Sequence, residues 1–405
     1  MRPDLFTSSA PGKVLHIGHG ETAYHAFIPA PLPPELPFDA QTVSALSNAD
    51  RALGELAGLG RTIANPRLLI SPFMRQEAVL SSRIEGTETG LTDLYEYEAG
   101  QLVVPGVGGP KAAADAQEVL NYVRALQHGL ACLEKLPVSL RLIRETHSKL
   151  MEGVRGGHAT PGEFRRSQNW IGPPGCQLKD ASYVPPPVPE MQDALNALER
   201  YLHVENGLPP LLRLACIHYQ FEAIHPFLDG NGRIGRLLIP LLMVSWGLLP
   251  HPLLYLSVFF ERRREDYYRL LLKVSTTGAW GEWTGFFLRG VEVQARDAVT
   301  RAKRLQDLQA TWREALHRTR ASALAIRLAD ALFESPMLTI PKAGEILGVS
   351  YQGAARLITK LEKVGILSLT EPKARGKIFV AADILKIIGE EEPGGLIEQK
   401  ASFVQ

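Results

Sequence analysis

His225-Pro226-Phe227-Leu228-Asp229-Gly230-Asn231-Gly232-Arg233-Ile234-Gly235-Arg236 is the stretch that decides how this chain is read. One helix ends near Ile224 and another begins near Arg233. Gly230 and Gly232 flank Asn231, and all three tolerate left-handed backbone angles. Successive N–H groups can therefore turn inward as an anion nest. The following helix aims its N-terminus at the same spot, which favours a phosphate. Arg233 and Arg236 are three residues apart and share a helix face; both can fork onto phosphate oxygens. Asp229 suits magnesium, which takes one or two carboxylates together with substrate phosphates. His225 then stands as a base beside a bound triphosphate, able to deprotonate a hydroxyl. A blander alternative makes His225 a helix C-cap and the arginines a solvated face. It leaves unexplained why both arginines follow a Gly-Asn-Gly turn.

Outward from this run the periodicity is helical. Ala45, Leu46, Ala49, Leu53 and Leu56 fall on one helix face. Further helices are predicted over Ile70–Ile84, Lys111–Leu133, Ser139–Met151, Glu190–Tyr201, Leu208–Ile224, Arg264–Val274 and Trp280–Arg318. Leu5–Pro37, rich in Pro and Gly, predicts an extended arm wrapped on the surface. Val103–Pro110 predicts a loop. Gly153–Pro187, without a helical period, predicts a β-hairpin or flap. Leu237–Phe260 carries no Asp, Glu, Lys or Arg and is long enough to span a bilayer. Pro240, Gly247, Pro250 and Pro252 break it into short pieces, so it reads as buried helix, with no membrane role expected. The chain of 405 residues is 45% apolar with a formal net charge of +1, so no global field draws it to nucleic acid or membrane. Cys132, Cys176 and Cys216, odd in number and far apart, indicate neither a disulfide framework nor a zinc ribbon. With no apolar run of signal-peptide type at the N-terminus, a cytoplasmic setting is expected. His218 is expected to be a core or capping histidine, since no paired ligand pattern accompanies it.

The run at 225–236 resembles the signature of the Fic (Fic/DOC) family, His-x-Phe-x-(Asp/Glu)-Gly-Asn-Gly-Arg-x-x-Arg, at every defined position. The resemblance extends from about Leu69 to Arg289. It implies a mainly α fold: a Fic helical bundle with a small β-hairpin flap. It also implies a protein adenylyltransferase that moves AMP from ATP, with Mg2+, onto a Tyr, Thr or Ser hydroxyl of a target protein. His225 would be the general base and Asp229 the magnesium ligand. Gly230, Asn231 and Gly232 would cradle the phosphates, Arg233 and Arg236 would bind the polyphosphate, and Phe227 would anchor the loop. Gly162-Glu163-Phe164-Arg165, Ile171-Gly172 and Tyr183-Val184-Pro185-Pro186-Pro187 look like the family's flap, whose edge holds the target by strand addition. Tyr267 and Tyr268 are placed like family residues beside the adenine, though buried helical tyrosines would look the same. Gly232 stands where phosphate-transferring relatives carry Lys, which keeps the nest open for AMP transfer. Self-modification and a homodimer are both compatible with this picture.

Upstream, Ser81-Ser82-Arg83-Ile84-Glu85-Gly86 closes a predicted helix, and Ser81 and Glu85 share a face. A Glu in a last helical turn opposes the helix dipole and needs a reason. The segment resembles the family's inhibitory motif, (Ser/Thr)-x-x-x-Glu-(Gly/Asn), in the subclass whose inhibitory helix precedes the core in the same chain. Glu85 would then pair with Arg236 and compete with the γ-phosphate.

Beyond Ser322 the predicted order is helix, short helix, turn at Gly348-Val349-Ser350, second helix Tyr351–Val364, and strands Ile366–Leu369 and Lys377–Val380. That is a winged helix-turn-helix. Within Ser335–Ile388 eight Lys and Arg oppose four acids, so the module is locally +4. Tyr351, Gln352 and Arg356 open the second helix, where groove-reading side chains lie; Lys373, Arg375 and Lys377 can track phosphates from the wing. DNA binding through residues 321–390 and a protein-docking or dimerising wing both stay open. The expected division is an N-terminal arm and helical region carrying the inhibitory motif (1–110), a Fic catalytic core (111–300), a connecting helix (301–320), the winged helix (321–390) and a tail (391–405). Two other readings of the whole remain: a DNA-binding regulator whose Fic domain senses nucleotide, and an enzyme that removes AMP.

Overall fold

The apolar period that starts near Gln41 becomes a bundle of helices around one core. The computed structural model describes residues 1–20, 23–63, 65–99, 109–154, 160–173, 175–204, 207–370 and 377–389. Helix α1 (Ala40–Thr62) is capped by Asp39, whose carboxylate accepts the Thr42 N–H at 2.7 Å. It is followed by α2 (Arg67–Ile84), α3 (Leu91–Glu98), α4 (Gly109–Leu133) and α5 (Leu140–Leu150). Then come α6 (Val188–His203), α7 (Pro210–Ile224), α8 (Asn231–Ser245), α9 (Ser257–Arg262), α10 (Arg264–Thr277) and α11 (Trp280–Arg318). Periodicity does not single out α3, which is short and held at its start by Asp93 accepting the Gly90 N–H at 2.8 Å. Helix α7 is buried along almost its whole length. Trp283 of α11 donates from Nε1 to the Ala215 carbonyl at 2.9 Å and seals that contact. The apolar stretch Leu237–Phe260 is divided between α8, a partly buried connection and α9. Among the described residues no helix is long and apolar enough to cross a membrane.

Two expectations change. Much of the predicted arm Leu5–Pro37 is an antiparallel hairpin of β1 (Gly12–Ile17) and β2 (Tyr24–Pro29), with Gly12 opposite Pro29 and Ile17 opposite Tyr24. Apart from Pro29, the last residue of β2, its prolines lie outside the strands, so Pro and Gly content misleads here. Gly12 is needed: a Cβ there would lie 2.2 Å from the Ile28 carbonyl oxygen. The flap, in turn, is pinned by one antiparallel bridge. Ile171 and Tyr183 exchange N–H···O bonds of 2.9 and 3.1 Å, and a short 3-10 turn, Leu178–Asp180, follows the first of them. Pro173 and Pro185–Pro187 have no N–H to extend the ladder. Residues 155–159 and 174 of this segment lie outside the described residues, as do 103–108 of the loop predicted at Val103–Pro110.

Helix α11 runs unbroken through residue 300 to Arg318. After it come α12 (Ala323–Ala331), β3 (Met337–Thr339), α13 (Ile340–Leu347), α14 (Tyr351–Lys363), β4 (Ser368–Leu369), β5 (Ile378–Val380) and α15 (Ala382–Gly389). The three strands form an antiparallel sheet in the order β3-β5-β4. Strand β3 is an addition to the expected pair. This end of the chain is tied back to the bundle: Gln76 Nε2 donates to the Ile388 carbonyl at 2.8 Å and Arg301 Nη1 to that of Ile387 at 3.1 Å. Lys373, Arg375 and the tail from Glu390 lie outside the described residues.

Candidate active site

His225 ends α7 in the left-handed conformation, φ 49° and ψ 60°, with its N–H on the Phe221 carbonyl at 3.0 Å. A non-glycine residue pays about 1 kcal/mol or more for this geometry, so the surroundings must hold it. Arg165 donates from Nε to the His225 carbonyl at 3.1 Å, and from its main-chain N–H to that of Pro226 at 2.9 Å. Asn169 donates to the Phe227 carbonyl at 2.8 Å. Asn231 closes the loop on itself: its Oδ1 accepts the Phe227 N–H and its Nδ2 donates to the Phe227 carbonyl, both at 2.8 Å. The Asn231 side chain is thus committed to bracing the loop, which leaves its main-chain N–H at the start of α8 for an anion. Phe227, fully buried, stacks on His147 with ring centroids 3.7 Å apart. Gly230, φ 80°, caps α8 where a Cβ would crowd Met151 and His147 at 3.2 and 3.3 Å.

The His225 ring faces the Glu222 carbonyl at 3.4 Å through Nδ1. A carbonyl only accepts, so the proton sits on Nδ1 and Nε2 keeps its lone pair. Burial pulls the His225 pKa down to about 4, against a smaller opposing pull from the Glu222 carbonyl. The ring is therefore neutral near pH 7, as a base must be. The Asp229 side chain is 52% exposed and oriented by the Gly230 N–H at 2.5 Å. Arg233, nearly buried, stands between Asp229 at 3.4 Å and Glu118 at 3.5 Å.

Arg236 is deeply buried and joined to the end of α2. It donates from Nε to the Ser81 hydroxyl and from Nη2 to the Ser81 carbonyl, each at 2.9 Å. Nη2 also pairs with Glu85 Oε1 at 2.6 Å. The Glu85 side chain, at the C-cap of α2, is 35% exposed. Burial works against its charged form; Arg236, then Arg233 and His225, outweigh this and hold its pKa below the ordinary value. A Cβ on Gly232 would lie 2.3 Å from Glu85 Oε1. The carboxylate therefore sits on the first turn of α8, where the helix dipole and free N–H groups favour an anion. Arg236 Nη1, also buried, has no hydrogen-bond partner among the described residues.

A cavity of about 620 Å³ opens from this point. Its lining includes His225, Gly232, Arg236 and Glu85, together with Tyr219, Leu271, Leu272 and Ser275 and flap residues Trp170–Pro173 and Tyr183. Tyr268, 42% exposed, lines it too. Tyr267 does not. It is buried, its hydroxyl is bonded to His218 Nε2 at 2.9 Å and its ring stacks on Phe260, so its expected place beside a base is corrected to the core. Successive helical residues point about 100° apart, and here that step turns Tyr267 into the core and leaves Tyr268 at the cavity. His218 is the core histidine expected, with Nδ1 on the Gly235 carbonyl at 3.1 Å.

A family model described as Fic/DOC family N-terminal matches residues 43–131, and one described as Fic/DOC family matches residues 137–243. The chain therefore carries a Fic/DOC family N-terminal domain and a Fic/DOC family domain. It is 30% identical over 194 residues to the protein adenylyltransferase Fic of Drosophila grimshawi, an alignment covering 46% of this chain and 35% of that protein. Its similarity to the protein of the same name from Drosophila virilis is 30% over the same length and shares. The chain thus spans about a third of the length of these curated relatives. In fold it resembles a Fic family protein from Desulfovibrio desulfuricans G20, with a TM-score of 0.54 at 20% identity over 86% of this chain and 98% of that one.

Three residues that brace this Fic loop from outside escape the sequence reading of the site, or enter it only as part of the flap pattern. His147 accepts the Gly162 N–H at Nδ1, 2.9 Å, and so donates from Nε2 to the Asp229 carbonyl at 3.0 Å. Burial pulls its pKa down to about 4, which keeps it neutral for this bridging role. Arg165 links four carbonyls, those of His225, Ser167 and Pro186 through its side chain and that of Pro226 through its main chain. Asn169 adds the bond to Phe227. Their only sequence signal is polar identity within an apolar or irregular stretch, which does not say what they face.

Proposed function

We propose that this chain transfers AMP from ATP to a hydroxyl of a target protein and that Glu85 restrains it. The observation that carries the reading is the Glu85 carboxylate, seated on the first turn of α8 and on Arg236, where a nucleotide phosphate would go. The target hydroxyl oxygen attacks the α-phosphorus, and its proton passes to His225 Nε2. The bond from the α-phosphorus to the bridging oxygen breaks, and pyrophosphate leaves toward Arg233, Arg236 and the N–H groups of Gly230, Asn231 and Gly232. The flap edge, where Trp170 and Ile171 are exposed, suits strand addition by an extended target segment. ATP labelled on the α-phosphate is expected to label protein, and ATP labelled on the γ-phosphate is not. The reverse pattern contradicts AMP transfer.

Asp229 fits a magnesium ligand: it is half-exposed, held in orientation by the Gly230 N–H, and adjacent to the phosphate end. The ion, when bound with ATP, would offset the charge of the polyphosphate. Asp229→Ala is expected to lower transfer about 100-fold, or about 2.7 kcal/mol. Full activity that still depends on added magnesium contradicts the assignment.

We divide the chain as 1–110, 111–300, 301–320, 321–390 and 391–405, and read 321–390 as a winged helix. The order α12-β3-α13-α14-β4-β5 supports this. Tyr351, 61% exposed at the start of α14, favours a reading in which this helix meets DNA or a partner protein. If it meets DNA, a gel shift with the full chain is expected to weaken steeply with salt as Lys and Arg release counterions. No binding even at low salt favours protein docking.

A further inference from the structure

Glu222 is the carboxylate of the cavity that the proposed transfer does not use. It stands on α7 one turn before His225, about 4.5 Å along the helix axis, and lines the cavity. Its Oε1 is shut off from solvent and accepts no hydrogen bond from the described residues. The carboxylate lies against α8: a Cβ on Gly235 would be 2.2 Å from this oxygen. Gly235 therefore makes room for Glu222 as Gly232 makes room for Glu85. A buried acceptor without a donor is costly, about 1–3 kcal/mol, unless a ligand supplies one.

The order of groups along α7 indicates which ligand. His225 marks the end where α8 and Arg236 favour phosphate. Glu222 comes one turn back. Tyr219 comes a further turn back, its hydroxyl on Ser275 at 2.9 Å, beside Leu271 and Leu272. A nucleotide has the same order: phosphate, ribose, base. Beside phosphate a carboxylate would repel. Beneath the face of a base it would find no donor. Beside the ribose it meets two adjacent hydroxyls, and the carboxylate, turned from α8 toward the cavity, can accept both. We propose that Glu222 binds the ribose 2′- and 3′-hydroxyls and makes this cavity selective for ribonucleotides. The inference rests on the reading that the cavity takes ATP.

Calorimetric titration of the full chain tests this at about pH 8, with the ordinary carboxylic acid range well below and Glu222 raised to about 7, chiefly by burial. The ligands are ATP, 2′-deoxy-ATP, 3′-deoxy-ATP and purine riboside triphosphate, which lacks the exocyclic amine. The wild type is expected to bind ATP at least ~10-fold tighter than either deoxy form. Glu222→Ala is expected to bring the three within about twofold, and Glu222→Gln, of the same shape, to fall between. Glu222→Ala weakening all nucleotides alike would overturn the proposal, as would a wild type indifferent to both hydroxyls. A preference that collapses only against the amine-lacking analogue reassigns Glu222 to the base and overturns it too. If ATP binds neither the wild type nor a Glu85→Gly chain, the nucleotide reading itself fails and the ribose contact with it.

Discussion

His225→Ala is expected to lower AMP transfer by about 100- to 10,000-fold, the usual range for losing a positioned general base. ATP affinity and fold should persist, because in the proposed site the phosphate contacts would come from Arg236, Arg233 and the N–H groups opening α8. The ring is poised for this role by two features. Its Nδ1 faces the Glu222 carbonyl, so Nε2 carries the lone pair. Burial pulls its pKa from 6.5 to about 4, so it is neutral across neutral pH. The sign follows directly: protonation removes the base, so the acid limb of the pH–rate profile for wild-type transfer is expected near pH 4 and not near 6.5. A folded His225→Ala chain with unchanged transfer contradicts the assignment. At saturating ATP, where titration of Glu222 no longer limits binding, an acid limb near 6.5 means the ring is solvated during turnover.

How much of this was legible in the sequence depends on the kind of signal. The helices α1, α2, α4–α7, α10 and α11 follow from apolar period. The loop follows from a run in which a His, a carboxylate, two glycines and two arginines stand at fixed spacing, each with its own physical requirement. The Arg236–Glu85 pair joins residues 151 positions apart, and it was anticipated only through a resemblance, since periodicity says nothing about which helix ends meet. Tyr267 and Tyr268 have one identity and adjacent positions, and only packing separates the core residue from the cavity residue. His147, Arg165 and Asn169 act through carbonyl oxygens, which every residue carries. The hairpin β1–β2 was hidden because prolines that flank strands look, in composition, like prolines that break them.

Glu85→Gly is expected to raise AMP transfer, including self-labelling, by at least ~10-fold, equivalent to about 1.4 kcal/mol. The expected gain is modest because the Glu85 side chain is 35% exposed and solvent weakens such a pair. With the carboxylate present, Arg236 Nη2 is held at 2.6 Å and the first turn of α8 already carries its anion. In the proposed restraint, ATP would enter only with its phosphates displaced from that turn, which would turn the α-phosphorus away from in-line attack. Removing the carboxylate returns both the arginine and the helix N-terminus to the nucleotide. Gly232, whose lack of a Cβ admits Glu85 at all, then faces open space that a phosphate can fill.

The most direct test compares initial rates of protein labelling from α-labelled ATP for the wild type, Glu85→Gly, and Glu85→Gly combined with Arg236→Lys. The lysine keeps the charge but not the fork that grips a phosphate at two points. Thermal unfolding of each chain establishes that all are folded. A rise of at least ~10-fold in Glu85→Gly, lost again when Arg236→Lys is added, is the predicted result; an unchanged or lower rate in a folded Glu85→Gly chain would contradict the account.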